Sequence, residues 1–537
     1  MKPILTLLFT LSISISIFSQ KEIPNLTRLD VLHYGFEITI SDTTDEIKGM
    51  ATVKILFLKN QKEFKLDLVQ KIGDEKGMDV TQVLQNSAAI PFSQSDDFLI
   101  ITPPSPIQKG DTLTYQITYH GIPADGLIIA KNKYGDRTFF GDNWPNRAHH
   151  WLPCIDHPSD KAAVDFKITA PDHYQVVANG VQIEELNIDD ETKMTHWKET
   201  VDLPMKVAVF GAARFGVQYV GDTHGVPITS WIYRQDRLAG YYDYSVAKEV
   251  LAFFIENIGT YSYKKLANVQ SKTRYGGMEN ASNIFYFENS VTGKGEEESL
   301  IAHEVAHQWF GNSVSEKNWY HIWLSEGFAT YGANLYLENK YGRAKMVENL
   351  KAERKMILDY VKSNPAPIVN KTITNWNKLL TTHVYQRASF VLHMLRREVG
   401  ETAFWNGLRN YYAAYRGKNT LTKDFQKVME QASGKKLDTF FEQWMYRSEI
   451  PQLEMTWKKT KRKRLQLHLQ QLQNGAAFDF PLDVEAVNAD GTCSKKWTVR
   501  ISQKDQTINL KCKFMPKEVI LDGATWLLFE GEVREKL

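Results

Sequence analysis

The spacing of hydrophobic residues changes twice along this chain, and this change limits the possible folds more than any other feature. Over residues 29–215, short runs such as 51–57 and 114–119 alternate apolar and polar side chains between Gly, Pro and Asp, a pattern typical of β-strands. Over residues 234–444 the apolar residues recur three and four apart, which predicts helices. The clearest helical stretches are residues 244–258, 296–310, 326–340 and 388–399. Alternation returns after Pro451, so the sequence predicts an all-β domain, a mainly helical domain and a small C-terminal β domain.

The composition is that of an ordinary globular protein. The chain has 537 residues, enough for about three domains. Hydrophobic residues make up 43% and charged residues 24%, values that exclude long disordered tracts, collagen and coiled-coil rods. The net charge is only +2, so we expect no nucleic-acid partner. The basic stretch at residues 458–464 is interpreted as a solvated hairpin turn, with contact to an anionic surface as the alternative.

The N-terminus has the pattern of a secretory signal peptide. An apolar run over residues 4–18 follows Lys2 and ends at the small residue Ser19. This run is shorter than the ~20 residues of a spanning helix, although a membrane anchor or an N-terminal strand remain alternatives. We expect a signal peptide over residues 1–19, export to the periplasm or the extracellular space, and no stable membrane anchor after cleavage.

The three cysteines, Cys154, Cys493 and Cys512, are too few for a disulfide scaffold or a four-cysteine zinc site. Cys493 and Cys512 flank a strand-like segment, residues 497–510. They could form a disulfide in an oxidising compartment, and separate free thiols are an equally good alternative.

One predicted helix carries a zinc-binding pattern. His303 and His307 are four residues apart, so they share a helix face and can bind one zinc ion. Glu304 lies between them, in the position of a general base. Glu326 begins the next helical stretch and is the natural third ligand, which leaves one zinc position open for water. In the alternative interpretation these are ordinary helix residues, with Glu326 favoured by the helix dipole.

Three separated motifs together resemble the aminopeptidase N family of zinc metallopeptidases, of the gluzincin type. They are Gly276-Gly277-Met278-Glu279-Asn280, then His303-Glu304-x-x-His307 followed by eighteen residues and Glu326, and finally Tyr385 at the head of a helix. Their order and spacing also match. The resemblance implies a thermolysin-like catalytic domain and a C-terminal β-sandwich. The implied divisions are a signal peptide at 1–19, an N-terminal β domain at 20–215, a catalytic domain at 216–449 and a β-sandwich at 450–537.

The same resemblance implies the catalytic roles. One zinc ion per chain, bound by His303, His307 and Glu326, lowers the pKa of its water, which then attacks a peptide carbonyl. Glu304 accepts the water proton and returns it to the leaving amine. Tyr385 is implied to stabilise the oxyanion, whereas the alternative is a tyrosine that serves only in packing.

The glycine-rich motif is implied to bind the substrate. Glu279 would hold the free α-amino group by a charge-assisted hydrogen bond. Gly276 and Gly277 would let an extended peptide approach the backbone, and Met278 and Asn280 complete the motif. The alternative is an ordinary turn between strands.

The sequence departs from the family pattern in several places. Trp144 stands where relatives carry a Gln or Glu that helps to hold the substrate amine, so this task is expected to fall to Glu279 or to Asn143. Ser325 replaces a frequent Asn, and Gln386-Arg387-Ala388 replaces a common Lys and Gly. The chain ends soon after the small β domain, so we expect no large helical C-terminal domain and a more open site that admits longer peptides.

The leading hypothesis is a secreted, zinc-dependent aminopeptidase acting on peptides with a free N-terminus. Lipid epoxide hydrolysis, which one branch of the superfamily performs, is disfavoured because that branch has the large helical C-terminal domain. An endopeptidase would have no use for Glu279. A binding or scaffold protein on the same fold would be expected to lose part of the catalytic set, all of which is present. Oligomeric state and the preferred first residue stay undetermined.

Overall fold

The computed structural model describes residues 26–73, 75–95, 97–460 and 464–535. The expected signal peptide, residues 1–19, lies outside these ranges. Within them, no helix is both long enough and apolar enough to cross a membrane.

The N-terminal part of the chain is built from β-strands, as its alternating pattern predicts. Its largest sheet has the order β13-β14-β11-β1-β2-β8-β4-β5, and two smaller sheets have the orders β12-β15-β10-β9 and β3-β7-β6. In β11 every second side chain is buried, so the apolar residues form one packed face. The strands are β1 (Leu29–Thr39), β2 (Ile47–Phe57), β3 (Phe64–Asp67), β4 (Gly77–Gln85), β5 (Ala88–Ala89), β6 (Phe92–Ser95), β7 (Phe98–Ile101), β8 (Thr112–Ile122), β9 (Leu127–Lys131), β10 (Arg137–Gly141), β11 (Ala162–Pro171), β12 (Gln175–Ala178), β13 (Val181–Asn187), β14 (Thr192–Leu203) and β15 (Phe210–Ala213).

A mixed sheet follows that the hydrophobic pattern does not predict. It has the order β16-β17-β18-β20-β19, with strands β16 (Phe215–Thr223), β17 (Val226–Tyr233), β18 (Leu266–Ser271), β19 (Gly277–Met278) and β20 (Asn283–Phe287). Strands β17, β18 and β20 run parallel. β18 is buried at every position and β20 at nearly every position, and strands buried on both faces show no alternation. The short strand β19 pairs antiparallel with β20 at the edge of the sheet.

The helical region confirms the predicted change of period. Its helices are α1 (Arg237–Tyr244), α2 (Ala247–Asn257), α3 (Glu298–His307), α4 (Trp323–Tyr341), α5 (Arg343–Ser363), α6 (Ala388–Val399), α7 (Glu401–Tyr415), α8 (Thr422–Ser433) and α9 (Asp438–Met445). A short parallel pair, β21 (Ser315–Glu316) and β22 (Asn419–Thr420), connects the loop before α4 to the segment before α8. Between Trp323 and Leu337, α4 is buried at every position except Thr330, so it forms the centre of the helical layer.

The remaining strands form two further sheets, with the orders β27-β24-β23-β29 and β26-β25-β28. They are β23 (Gln452–Thr460), β24 (Arg464–Gln471), β25 (Phe480–Val487), β26 (Ser494–Ile501), β27 (Asp505–Lys511), β28 (Glu518–Leu521) and β29 (Glu530–Glu535). Strands β23 and β24 are antiparallel, with Thr460 opposite Arg464, which confirms the predicted hairpin; its turn, residues 461–463, lies outside the described ranges.

The cysteines are separate thiols. Cys154 and Cys512 are buried, Cys493 is exposed, and all three are free. The segment 497–510 between Cys493 and Cys512 holds parts of two strands, β26 and β27, rather than one.

Candidate active site

Helices α3 and α4 bring the three predicted metal ligands together. The Nε2 atoms of His303 and His307 are 3.0 Å apart. The Glu326 Oε2 atom lies 3.2 Å from His307 Nε2 and 3.5 Å from His303 Nε2. These separations are close to the ~3.4 Å between neighbouring ligands of a tetrahedral zinc ion with bonds of about 2.1 Å. The three donor atoms therefore fit a zinc ion.

Polar contacts at the far end of α3 hold the two helices together. The Glu298 carboxylate, at the start of α3, accepts hydrogen bonds from Lys340 Nζ, Tyr336 Oη and Tyr341 Oη at 2.6–2.8 Å. All three donors belong to the last part of α4. The start of α3 therefore lies beside the end of α4, and the end of α3 beside the start of α4, where Glu326 lies.

The orientation of the His307 ring is determined by its second nitrogen. Its Nδ1 atom is 3.1 Å from the Phe310 carbonyl oxygen and 3.0 Å from Ser325 Oγ. An Nδ1–H that donates to the carbonyl leaves the Nε2 lone pair free for a metal. Gly311 makes this packing possible, since a Cβ there would lie 2.1 Å from Ser325 Oγ and its φ of +122° disfavours side chains. Ser325, a departure from the family pattern, thus contacts a predicted metal ligand directly.

Glu304, the predicted general base, is buried against the backbone of β19. A Cβ on Gly277 would lie 2.2 Å from its Oε1 atom. Burial raises the pKa of the Glu304 carboxyl well above its ordinary value, and the charges of Glu279 and Glu326 act in the same direction. A carboxylate in this environment accepts a proton readily.

The site holds more negative than positive groups. The ligand atoms of Glu279, Glu304 and His307 also lie within 4.8 Å of one another, so His307 belongs both to this group and to the group that it forms with His303 and Glu326. Burial by itself lowers the pKa of His307, but the charges of Glu326 and Glu279 raise it to about 9. Three buried carboxylates around two imidazoles favour a positive charge at the centre of the group, which a divalent cation supplies.

Tyr385 lies beside the predicted metal ligand His303. It belongs to a π-helical turn, His383–Arg387, that leads into α6, and its ring stacks on the His303 ring with 6.1 Å between centroids. Burial raises the pKa of the phenol well above its ordinary value, and the nearby Glu326 charge adds to this effect. The hydroxyl therefore keeps its proton at neutral pH and is available as a donor.

The glycine-rich motif runs along β19 at the edge of the sheet. The Glu279 side chain is buried, and its Oε1 atom has no hydrogen-bond partner in the described part of the chain. The Glu279 carbonyl accepts hydrogen bonds from Gln308 Nε2 at 2.9 Å and Asn312 Nδ2 at 2.6 Å. Met278 and Asn280 are buried on either side of it. Sequence reasoning did not identify Gln308 and Asn312, although both closely follow His307.

The structure does not support Asn143 as a group that holds a substrate amine. Its Nδ2 donates to the carbonyls of Met205 and Ala208 at 2.9 and 2.7 Å, and its Oδ1 accepts from the Trp151 indole at 2.9 Å. Trp144 packs its ring on Trp319 with 5.7 Å between centroids. Of the two expected candidates, only Glu279 has a side-chain oxygen without a hydrogen-bond partner among the described residues.

Arg387 is a further residue whose role is visible only in the structure. Its buried guanidinium donates to the carbonyls of Ala366, Arg447, Ser448 and Glu449 at 2.8–3.2 Å. It therefore ties the turn that carries Tyr385 to the segment that precedes β23.

A cavity of about 430 Å³ adjoins the site. Its walls include Gly276, Gly277, Leu300, His303, Glu304 and Tyr385. The predicted general base and one predicted metal ligand are therefore accessible from this cavity.

Known protein families match two successive parts of the chain. Residues 31–205 match the Peptidase M1 N-terminal domain, and residues 242–444 match the Peptidase family M1 domain. These matches agree with the observed β-rich region followed by a helical catalytic region.

Several aminopeptidases are similar in sequence. Glutamyl aminopeptidase of Bos taurus is 26% identical over 335 residues, which are 58% of this chain and 34% of that protein. The Homo sapiens enzyme is 26% identical over 329 residues, with the same coverage of 58% and 34%. A probable aminopeptidase 2 of Sulfurisphaera tokodaii is 23% identical over 442 residues, 77% of this chain and 54% of that protein. The matched region thus spans about a third of the length of the two mammalian relatives.

The two domain matches occur in order and together cover well over half of the chain. The predicted metal ligands His303, His307 and Glu326 lie inside the second match. This chain belongs to the M1 family of peptidases.

Proposed function

We propose that this chain is a zinc-dependent aminopeptidase, a hydrolase that removes single residues from the free N-terminus of peptides. The observation that carries the proposal is the convergence of His303, His307 and Glu326 beside two buried acids, Glu304 and Glu279. The names of the relatives, glutamyl aminopeptidase and aminopeptidase 2, support it. One zinc ion per chain is the proposed cofactor.

His303, His307 and Glu326 would hold the metal ion. When bound, zinc supplies a Lewis acid that polarises the scissile carbonyl and makes a water molecule nucleophilic at neutral pH. Glu304 accepts the proton of the attacking water, because burial has made its carboxylate basic. The same carboxyl then returns the proton to the leaving amine. The Tyr385 hydroxyl, which stays protonated, donates a hydrogen bond to the oxygen that becomes negative.

Glu279 distinguishes an exopeptidase from an endopeptidase. Its unpartnered Oε1 atom pairs with the positive α-amino group of the substrate, and the two share a charge-assisted hydrogen bond. Gln308 and Asn312 position the Glu279 backbone through its carbonyl. A substrate whose amine is acetylated has no charge to offer, so it would leave this buried acid unpaired.

We also propose the finer domain divisions. The N-terminal β domain would end at residue 215 and the catalytic domain at residue 449, with a β-sandwich over 450–537. Support comes from the change of sheet at β16 and from the two separate sheets formed after Gln452.

Export through the N-terminal 19 residues is likewise a proposal, supported by their apolar pattern. N-terminal sequencing of the protein recovered from a secreting host tests it. A mature chain that begins at residue 20 is expected, and an uncleaved chain inside the cell would contradict it.

The test of activity uses one ten-residue peptide, offered with a free and with an acetylated N-terminus, with and without a zinc chelator. Mass spectrometry should show a ladder of products shortened from the N-terminus, formed only from the free peptide and abolished by the chelator. Internal cuts in both peptides would indicate an endopeptidase and a wrong role for Glu279. Absence of cleavage would favour the lipid or binding alternatives.

A substitution of matched size tests the proposed role of Glu304 as the general base. Glu304→Gln keeps the size of the side chain but cannot accept a proton, and general-base catalysis typically contributes about 10²–10⁴-fold. We expect this variant to retain zinc, measured by metal analysis, and to lose turnover within that range. Full activity would overturn the assignment.

A further inference from the structure

The cavity beside the site extends away from Glu279. Along α3, its walls include Ser299 and Leu300, which precede His303, whereas the Glu279 backbone is bound by Gln308, just past the end of α3. Tyr275, Gly276 and Gly277 line the cavity, but Glu279 does not. If Glu279 holds the substrate amine, as the proposed function requires, the cavity receives the part of the peptide that follows the scissile bond.

A second acid, Glu353 of α5, lies in the wall of this cavity. Its Oε1 atom accepts a hydrogen bond from Asn334 Nδ2 at 2.7 Å, and its Oε2 atom accepts one from Ser389 Oγ at 3.4 Å. Both donors are neutral. In the described ranges of the chain, no lysine or arginine nitrogen lies within 4.0 Å of this carboxylate. The next residue, Arg354, is paired with Asp522 instead.

Among the described residues, only two neutral hydrogen-bond donors, Asn334 and Ser389, stabilise the negative charge of Glu353. Burial raises its pKa to about 7, and only the two neutral donors act in the other direction. The residue as a whole is nevertheless not fully buried, and it lines the same cavity as His303 and Glu304. A cation that entered the cavity would pair with this carboxylate at low desolvation cost, because the carboxylate is already partly desolvated.

The surroundings of Glu353 fit a long side chain with a charged end. Leu300, Ala333, Ala352 and Met356 contribute apolar surface to the same walls. Lysine and arginine combine an apolar stem with a cationic head, so the stem can lie on this surface while the head reaches the carboxylate.

We propose that Glu353 is a specificity-determining residue, which selects peptides with lysine or arginine directly after the residue that is removed. The proposal rests on the proposed function and names a substrate class for it. The Glu353 carboxylate forms an ion pair with the basic side chain in the cavity, while Glu279 holds the amine on the other side of the metal ligands.

The experiment compares three tripeptides with free N-termini, Ala-Lys-Ala, Ala-Leu-Ala and Ala-Glu-Ala, as substrates of the zinc-loaded full chain. The value of kcat/KM is measured for each by quantifying released alanine. We expect the wild-type protein to prefer the lysine peptide to the glutamate peptide by at least about tenfold, the range of one hydrogen bond to a charged group. Glu353→Gln keeps the size of the side chain but removes its charge. Its kcat/KM should fall about tenfold for the lysine peptide and for no other peptide of the three.

The control is Glu348→Gln on the same helix, whose side chain is 71% exposed and pairs with Lys345 on the surface. This variant removes an equal charge outside the cavity and should leave all three rates unchanged. Equal wild-type rates for the three peptides, or an equal loss on all three in Glu353→Gln, would overturn the assignment of Glu353 while leaving the aminopeptidase proposal intact. Failure of the wild-type protein to cleave any of them would instead overturn both.

Discussion

Replacing Gly277 by alanine is the most direct test of how the backbone of β19 positions the general base. The added Cβ would lie 2.2 Å from Glu304 Oε1, 2.4 Å from Cδ and 2.6 Å from Cγ. Ordinary contacts of this kind begin at about 3.4 Å. The carboxylate must therefore move by roughly 1 Å, and a misplacement of that size costs about 10²-fold in rate.

We expect kcat/KM of Gly277→Ala to fall about 100-fold, which corresponds to about 2.7 kcal/mol of transition-state stabilisation. The zinc content should be unchanged, because the three atoms nearest to the new methyl group all belong to Glu304 and none to the proposed ligands His303, His307 and Glu326. The assay is hydrolysis of an alanine-containing tripeptide by the zinc-loaded protein, with metal analysis of the same sample.

The neighbouring glycine provides the comparison. Among the described residues, a Cβ on Gly276 would meet only Leu300, at 3.6 Å, an ordinary van der Waals contact that leaves Glu304 in place. Gly276→Ala should therefore lose far less kcat, and any loss should lie in KM, because the peptide is proposed to approach the backbone at this residue. Equal activity of the Gly277→Ala variant and the wild-type protein would refute the argument. An equal loss in both variants would show that the effect comes from the strand backbone and not from Glu304.

Three further predictions concern the surroundings of the site and the stability of the fold. Ser325→Ala removes a contact to His307 Nδ1 and should weaken zinc binding about tenfold; competition with a chelator measures this, and unchanged affinity would contradict it. Arg387→Met leaves buried carbonyls without a donor, each costing about 1–3 kcal/mol. Both the midpoint of thermal unfolding and the turnover that depends on Tyr385 should therefore fall. A loss of stability with full turnover would show that Arg387 does not position Tyr385. Burial raises the pKa of Asp160 to about 8, so between the unfolded value of ~3.9 and 8 the folded protein binds more protons and stability falls as pH rises. The difference in the midpoint of thermal unfolding, Asp160→Asn minus wild type, should therefore increase from pH 5 to pH 9. A difference that stays constant with pH would contradict the predicted pH dependence.

Local patterns predicted much of the architecture and the residues of the candidate metal site. The four-residue spacing of His303 and His307 within a helical apolar pattern predicts a shared helix face, because the helical repeat alone places them there. Helix α6 begins and ends at the predicted residues, 388 and 399. The change of hydrophobic period likewise predicts the order of β-rich and helical regions, since each period reports only on the burial of its own segment.

Tertiary structure decided the features that depend on contacts between distant segments. The mixed sheet of strands β16 to β20 was not predicted. Its strands β18 and β20 are buried at every or nearly every position, so their sequences show no alternation. Asn143 could be dismissed as an amine-binding group only when its bonds to Met205 and Ala208 were seen. Sequence spacing carries no information about such partners.

The wall of the cavity illustrates the same difference. Glu353, Asn334 and Ser389 come from three separate helices, and nothing in the local pattern of α5 distinguishes Glu353 from the exposed Glu348. The sequence by itself predicted which residues would bind zinc, since those lie on one helix and near the start of the next. Only the packing of α4, α5 and α6 determined that Glu353 lines the cavity with no lysine or arginine partner among the described residues, because burial and pairing depend on neighbours far away in the chain.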